Sequence, residues 1–411
     1  MAGENWPLVP LGELTENHDG RRVPVKENDR KPGPYPYFGA SGIVDHVDGY
    51  IFDGEYLLIG EDGENLRTRQ TPIAFLAKGK FWVNNHAHIV RGNHRADTRF
   101  LSYVLSQTDI SGYLTGSTMP KLTQGNLNRL PVIAPPLAEQ KAIAAVLGAL
   151  DDKIELNRRM NATLEAMARA LFQSWFVDFN PVRAKLDGRK PVGMDAATAD
   201  LFPEQFAHDE DAKLPVGWRL AAIEDVCAIN AWTLGKKDDL VTLEYIEISE
   251  VSRGDIANIA TYPRGEEPSR ARRRLRHGDT VLSTVRPDRG SYFLALNPPE
   301  NRVASTGFAV LTPTKVPWTF LHAALTQPEI SDHLGQMADG GAYPAVRPEI
   351  IGAMQVALPG TPKILEAFHR ICAPLFEQAE ANRTQSRTLA TLRDTLLPKL
   401  LSGQLSVAGR F

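Results

Sequence analysis

The sequence predicts an α+β protein: two mixed α/β globular domains joined by two long helices that form an antiparallel coiled coil, pseudo-two-fold overall. Three observations carry that prediction. The chain has 411 residues, too many for one ordinary domain and enough for two or three. Five segments recur in order at an offset of about 220 residues, so the chain reads as a diverged direct repeat of two large units. In each unit, a stretch rich in Gly, Pro and aromatics gives way to one with helical periodicity.

The repeat is carried by short matches. Trp6–Leu14 resembles Trp218–Val226 in apolar spacing, Gly54–Ile59 resembles Gly278–Ser283, and Phe100–Gln107 resembles Phe320–Gln327. Pro120–Pro135 lines up on Pro344–Pro359, and Glu155–Arg158 on Glu380–Arg383.

The elements follow in order. Residues 1–135 form the first globular domain, where β-prone runs such as Tyr56–Ile59 and Ile73–Leu76 between Gly and Pro mark short strands joined by turns. Residues 136–179 form the first spacer helix: Ile143, Leu147, Leu150, Ile154, Leu164 and Leu171 fall on alternating four- and three-residue steps, the seam of a coiled coil. A linker, 180–214, leads to the second globular domain, 215–360, with Thr280–Ser283 among its strands. Residues 361–403 form the second helix, with Phe368, Cys372, Leu375, Ala379, Leu389 and Leu396 on the equivalent seam, and 404–411 are a tail.

Both seams are polar at their centres, Asn157 and Asn161 in the first helix and Asn382 and Ser386 in the second. These positions are either wet helix faces or a device in which Asn157 and Asn382 pair to fix register, with Leu150, Leu164, Leu375 and Leu389 making the apolar part of the pairing. Pro374 should kink or restart the second helix. A seam of roughly 35 residues is about 50 Å long, or about one and a half turns of B-DNA, so the helices suit a spacer.

Composition narrows the function. With 43% hydrophobic and 23% charged residues, the chain is an ordinary globular protein rather than a disordered or fibrous one. Lys and Arg total 46 against 49 Asp and Glu, so any nucleic-acid surface must be local. Two cysteines, Cys227 and Cys372, cannot build a disulfide framework or a zinc site alone, which points to a reducing, cytoplasmic location. The N-terminus lacks a signal-peptide pattern and no run of about 18 apolar residues occurs, so no membrane association is expected.

The clearest charge cluster is Arg270, Arg272, Arg273, Arg274 and Arg276, followed by His277, Arg286 and Arg289, in a segment that includes Tyr262 and Tyr292. Arginine suits phosphates and guanine edges. A solvated basic loop offset by Glu266, Glu267, Asp279 and Asp288 is the alternative. The first domain offers Arg67, Arg69, Lys78 and Lys80, then Asn84, Asn85 and His86. Lys121, Thr123, Gln124 and Asn126 could read base edges before the first helix, or be ordinary surface polar residues. The two domains share a framework but not these side chains, as expected if each reads a different short sequence.

Enzyme motifs are poor. Neither a Walker A loop nor GxGxxG occurs. His86 and His88 alternate on a probable strand and face one side, a structural pair rather than a metal site. Asn297-Pro298-Pro299 is similar to the motif of adenine methyltransferases, but Glu300 replaces the aromatic that would stack on a flipped base, so it reads as a turn. Nothing resembles a nucleophile elbow. No catalytic residue and no metal ligand is assigned.

Leu392-Arg-Asp-Thr-Leu-Leu-Pro-Lys-Leu-Leu-Ser-Gly403 closely resembles the closing segment of type I restriction-modification specificity subunits. Ile133–Ile143, Leu57–Gly63 and Leu171–Phe179 are similar to further stretches of that family. The resemblance implies a non-catalytic subunit with two target-recognition domains, each reading one half of a split, asymmetric double-stranded DNA site, held apart by two conserved helices. It implies as partners two modification subunits that bind S-adenosylmethionine and methylate adenine, and restriction subunits that use ATP and Mg for translocation and cleavage. This chain itself would bind no cofactor. One departure stands out: the second helix opens on Pro359-Gly-Thr-Pro362 where the first has Pro135-Pro136-Leu-Ala-Glu139-Gln140, so partner contacts should be weaker there. A methyltransferase or nuclease acting alone and a coiled-coil scaffold without a DNA role are the competing functions.

Overall fold

The computed structural model describes residues 6–207, 214–235, 238–339, 341 and 344–407. The chain forms two compact units, one of residues 1–155 and 386–411 and the other of residues 156–385.

The first unit is built on a six-stranded mixed sheet of β1 (Thr15–Asn17), β2 (Pro32–Gly39), β3 (Gly42–Val47), β4 (Phe52–Gly60), β5 (Ala74–Val83) and β6 (Ala87–Gly92). The order is β1–β6–β4–β5–β2–β3, antiparallel except where β2 runs parallel to β5. Central β4 is buried on both faces, which is why Tyr56–Ile59 reads as a continuous apolar run. Leu57 and Ile59 join a core with Leu11, Leu14 and Phe100, while Tyr56 and Leu58 join another with Phe52 and Phe81. The helix Thr98–Gln107 is capped by the Asp97 carboxylate, which accepts from the Phe100 N–H at 2.9 Å. Leu8–Pro10 pairs antiparallel with Pro131–Ile133, bringing the ends of the domain together.

The second unit carries β7 (Cys227–Ile229), β8 (Thr242–Ile246), β9 (Ala260–Pro263), β10 (Ala271–Arg274), β11 (Asp279–Ser283), β12 (Tyr292–Ala295), β13 (Arg302–Ser305) and β14 (Phe308–Pro313). They form two four-stranded sheets, β7–β14–β11–β12 and β9–β8–β13–β10. Arg219–Ala222 pairs antiparallel with Gln355–Leu358. Cys227 and Cys372 are buried in this unit, and burial pushes both thiols up to about 12.

The repeat extends to individual backbone bonds. Leu11 N–H donates to Leu130 O at 2.8 Å, and Ile223 N–H donates to Met354 O at 2.8 Å. Leu122 N–H reaches Glu61 O at 2.8 Å, and Val346 N–H reaches Thr284 O at 2.8 Å. These bonds correct one sequence match. Asn17, Val90 and Leu57 lie in register across three strands, as do Ile229, Leu311 and Thr280. Leu57 therefore corresponds to Thr280, and the match of Gly54 to Gly278 is one residue out. In a strand that slip exchanges the faces.

The long helices are α1 (Leu137–Phe172), followed by one π turn at Gln173–Val177, and α2 (Pro362–Leu401). Within the first unit, Ile143, Ala144 and Leu147 of α1 share the core with Leu397, Leu400 and Leu401 of α2. Arg393 reaches Asp151 there at 2.8 Å. Within the second unit, Asn157 Nδ2 donates to Asn382 O at 3.2 Å and to Gln385 Oε1 at 2.9 Å. Asn161 Nδ2 donates to Ala379 O at 3.0 Å, and Asn382 Nδ2 to Asn161 Oδ1 at 2.9 Å. The stretches are antiparallel, and the three asparagines are buried rather than wet. Leu150, Leu164, Leu375 and Leu389 are each half-buried.

Two expectations change. Pro374 does not restart α2, which runs unbroken through it; the proline is exposed, where water can satisfy the carbonyl that its missing N–H leaves unbonded. Of the segment expected as a linker, residues 180–207 are ordered: helices Asn180–Leu186 and Ala196–Asp200 bring Val182 and Phe202 into the core beside Trp175.

Candidate nucleic-acid interface

In the first domain, most of the candidate cations are bound to the domain's own acceptors. Arg67 pairs with Glu64 at 3.3 Å and donates to the carbonyls of Gly116 and Ser117 at 3.1 and 3.2 Å. Arg69 closes the short helix Asn65–Thr68 in the left-handed region and donates to the carbonyls of Ser106 and Thr108. Lys78 pairs with Glu55 at 3.2 Å and Lys121 with Glu61 at 3.1 Å. Thr123 caps the helix Gln124–Arg129, and the Asn126 amide donates to Tyr113 O at 2.7 Å. Lys80 and Asn85 remain exposed, Lys80 over the Tyr50 ring at 4.7 Å.

Behind Lys121 lies a buried charge network. Arg22 reaches Glu61 at 2.6 Å and the Ala87 carbonyl at 2.8 Å. His88 Nδ1 lies 2.6 Å from Asp19 Oδ2, and its Nε2 lies 2.7 Å from Leu122 O. Both ring nitrogens are thus engaged by protein acceptors. Burial alone would raise the Asp19 carboxyl, but hydrogen bonds from His88 and the Ile89 N–H, with the Arg22 charge, hold it below the usual carboxylate range. His86 does not share a face with His88: it sits exposed on the turn before β6 and contacts Asp62 at 2.9 Å.

The second domain divides its arginines. Arg272 pairs with Glu267 at 3.3 Å, and Arg274 pairs with Asp238 at 3.2 Å and Glu300 at 3.3 Å. Arg270 and Arg289 are exposed with no carboxylate at ion-pair distance among the described residues. Arg273 is half-buried, and its buried Nε has no hydrogen-bond partner among them. Burial pushes the Arg273 guanidinium below its ordinary range. Arg286 has φ +47, at the place where the first domain has Gly63: Arg286 N–H donates to Pro344 O at 2.8 Å, and Gly63 N–H donates to Pro120 O at 3.1 Å. A left-handed arginine is strained where glycine is not.

The comparisons with known proteins now bear on this arrangement. A model of the type I restriction modification DNA specificity domain matches residues 3–166. A putative type I restriction enzyme specificity subunit of Haemophilus influenzae is 39% identical over 150 residues, 36% of this chain and 38% of that protein. The MjaIX specificity subunit of Methanocaldococcus jannaschii is 22% identical across 98% of this chain and 94% of its own length. Residues 3–166 thus match the type I restriction modification DNA specificity domain, and the likeness to a specificity subunit runs along nearly the whole chain. A crystal structure of the S subunit of such a system from M. genitalium shares the fold, with TM-score 0.57, 15% identity, and 97% of this chain and 99% of that chain covered.

Two features of the chain escape the sequence. The Arg276 guanidinium lies over the exposed Trp232 ring, 3.2 Å from its centroid, a contact made across strands with no signal in local spacing. Arg383 of α2 donates to Glu165 of α1 and, at 3.0 Å, to Asp255, which opens the short strand Asp255–Ile256 paired with Val251–Ser252. Burial pushes Glu165 up against the pull of Arg383 and Arg169. This cluster fastens the second domain to the helix stretches of its own unit. No helix among the described residues is long and apolar enough to cross a membrane.

Proposed function

We propose that this chain gives a type I restriction-modification complex its DNA sequence specificity, the two domains each reading one half of a split, asymmetric site. The observation that carries the reading is the likeness to a specificity subunit along 98% of the chain, which takes in both repeats. The same backbone frame occurs twice with different polar side chains on it, as two readers of unlike half-sites require. Arg270, Arg273 and Arg289, with no carboxylate at ion-pair distance among the described residues, suit phosphates and base edges.

In this reading, α1 and α2 set the spacing of the half-sites and dock two modification subunits. Those subunits would bind S-adenosylmethionine and methylate adenine, and restriction subunits would supply ATP- and Mg-dependent translocation and cleavage. Hydrogen bonds among Asn157, Asn161 and Asn382 fix helix register, which a spacer of defined length needs. The test is to co-express the chain with its modification subunit and sequence the host DNA for methylated adenine. One split, asymmetric motif is expected. No methylated motif from an assembled, cofactor-binding complex would overturn the reading.

A further inference from the structure

Arg276 differs from the other cations that lie over rings. Arg21 donates to the Ile51 carbonyl, Arg30 pairs with Asp45, and Arg183 donates to the Asp178 carbonyl. Arg91 stands 6.0 Å from the Tyr56 centroid, at the edge of useful range. Lys80 has a rotating ammonium rather than a plane. Arg276 is exposed, lies on the ring of Trp232, and has no carboxylate at ion-pair distance among the described residues.

The frame fixes both partners. Segment 232–234 runs alongside β10, with Arg274 N–H donating to Trp232 O at 3.1 Å and Leu234 N–H to Arg272 O at 2.7 Å. The Arg276 N–H donates to the buried Asp279 carboxylate at 2.7 Å. Stacking engages one π face of the guanidinium and leaves its N–H edges available. Those edges are donors only. Guanine alone presents two acceptors, O6 and N7, on its major-groove edge; adenine pairs an acceptor with a donor, thymine offers one acceptor beside a methyl group, and cytosine offers a donor.

We propose that Arg276, held flat on Trp232, is a specificity-determining residue that reads a guanine in the half-site of the second domain. The proposal rests on the DNA-reading function above. Arg276 contributes the paired donors, and Trp232 holds their plane and lowers the entropy lost on binding.

The test is the methylated motif of the assembled complex, wild type against Arg276→Lys, Arg276→Gln, Trp232→Ala and Trp232→Phe. In wild type, the second half-site contains a guanine. Arg276→Lys and Arg276→Gln relax that position alone, lowering discrimination by about ten- to hundred-fold. Trp232→Ala relaxes the same position, and Trp232→Phe, which keeps a ring face, largely restores it. An unchanged motif in Arg276→Lys, with methylation in Arg276→Gln reduced evenly at all sites, would make Arg276 a phosphate contact and overturn the proposal while leaving the DNA-reading function intact. A second half-site without guanine would do the same. Absence of any split motif in wild type would take down both.

Discussion

The two globular domains share backbone hydrogen bonds but treat charge in opposite ways. In the first, Glu61 stands behind the loop that carries Lys121 and draws in both Arg22 and Lys121. In the second, the bonds that place Glu61 place Thr284, and those that place Lys121 place Ala345. With no acid there, the second domain pairs Arg272 and Arg274 elsewhere and leaves Arg270, Arg273 and Arg289 without a carboxylate partner among the described residues. The number of basic residues in a segment is therefore a poor guide to the charge a domain can offer DNA.

The largest expected effect falls on the first domain. Arg22→Met leaves Glu61 and Asp19 without their main cation and should cost about 3 kcal/mol of stability, read by chemical denaturation, with the salt dependence of DNA binding by the refolded complex unchanged. In the second domain, Arg270→Ala with Arg273→Ala should reduce the slope of log affinity against log salt by about two, one for each phosphate no longer neutralised, with little change in stability. Arg272→Ala alone, neutralised by Glu267, should leave that slope as it is; a drop as large as that of the double variant would break the comparison.

Acid should separate the domains as well. Asp19 is held below the usual carboxylate range, so its stabilisation is complete at neutral pH and is lost as pH falls through that lowered value. Asp279 is pushed up by burial against the bonds from Thr312 and the Arg276 N–H. Its charge therefore costs stability at neutral pH, and that cost is relieved as pH falls through its raised value. The stability gap between wild type and Asp19→Asn should narrow on acidification, whereas wild type should gain on Asp279→Asn over the upper part of the same titration.

A smaller effect is expected at the strained loop. Arg286→Gly should relieve a backbone strain of about 1 kcal/mol, because glycine accepts the left-handed conformation that the first domain gives to Gly63, read as a change in unfolding midpoint against Arg286→Ala, which removes the same side chain and keeps the strain. Methylation by the variant complex should fall if that arginine meets DNA. The smallest effect belongs to Lys78→Ala, which breaks an exposed pair with Glu55 and should change stability by less than about 1 kcal/mol.

Much of the fold was legible in the sequence because its signals are local. Pro135-Pro136 and Pro359–Pro362 bracket the helix starts, and the four-three spacing from Ile143 to Leu171 marks the seam. The slip at Gly54 and Gly278 arose because two glycines resemble each other more than Leu57 resembles Thr280, although strand pairing matches the latter. The polar seam was visible, but the choice between wet and buried asparagines required the partner helix. At the site, arginines can be counted in a sequence, yet their neutralisation by Glu267, Asp238 and Glu300 depends on chain folding. Trp232 is far from Arg276 in sequence and meets it only because its segment pairs with β10.

If each domain reads its own half of one DNA site, the halves should be exchangeable one at a time. The decisive experiment is a hybrid in which residues 1–135 are replaced by the corresponding domain of a family member with a different target, co-expressed with the modification subunit, with methylated adenines mapped across the host DNA. A split motif is expected in which one half changes while the other half and the spacer length stay as in wild type. A motif changed in both halves, or in neither, would contradict independent reading by the two domains.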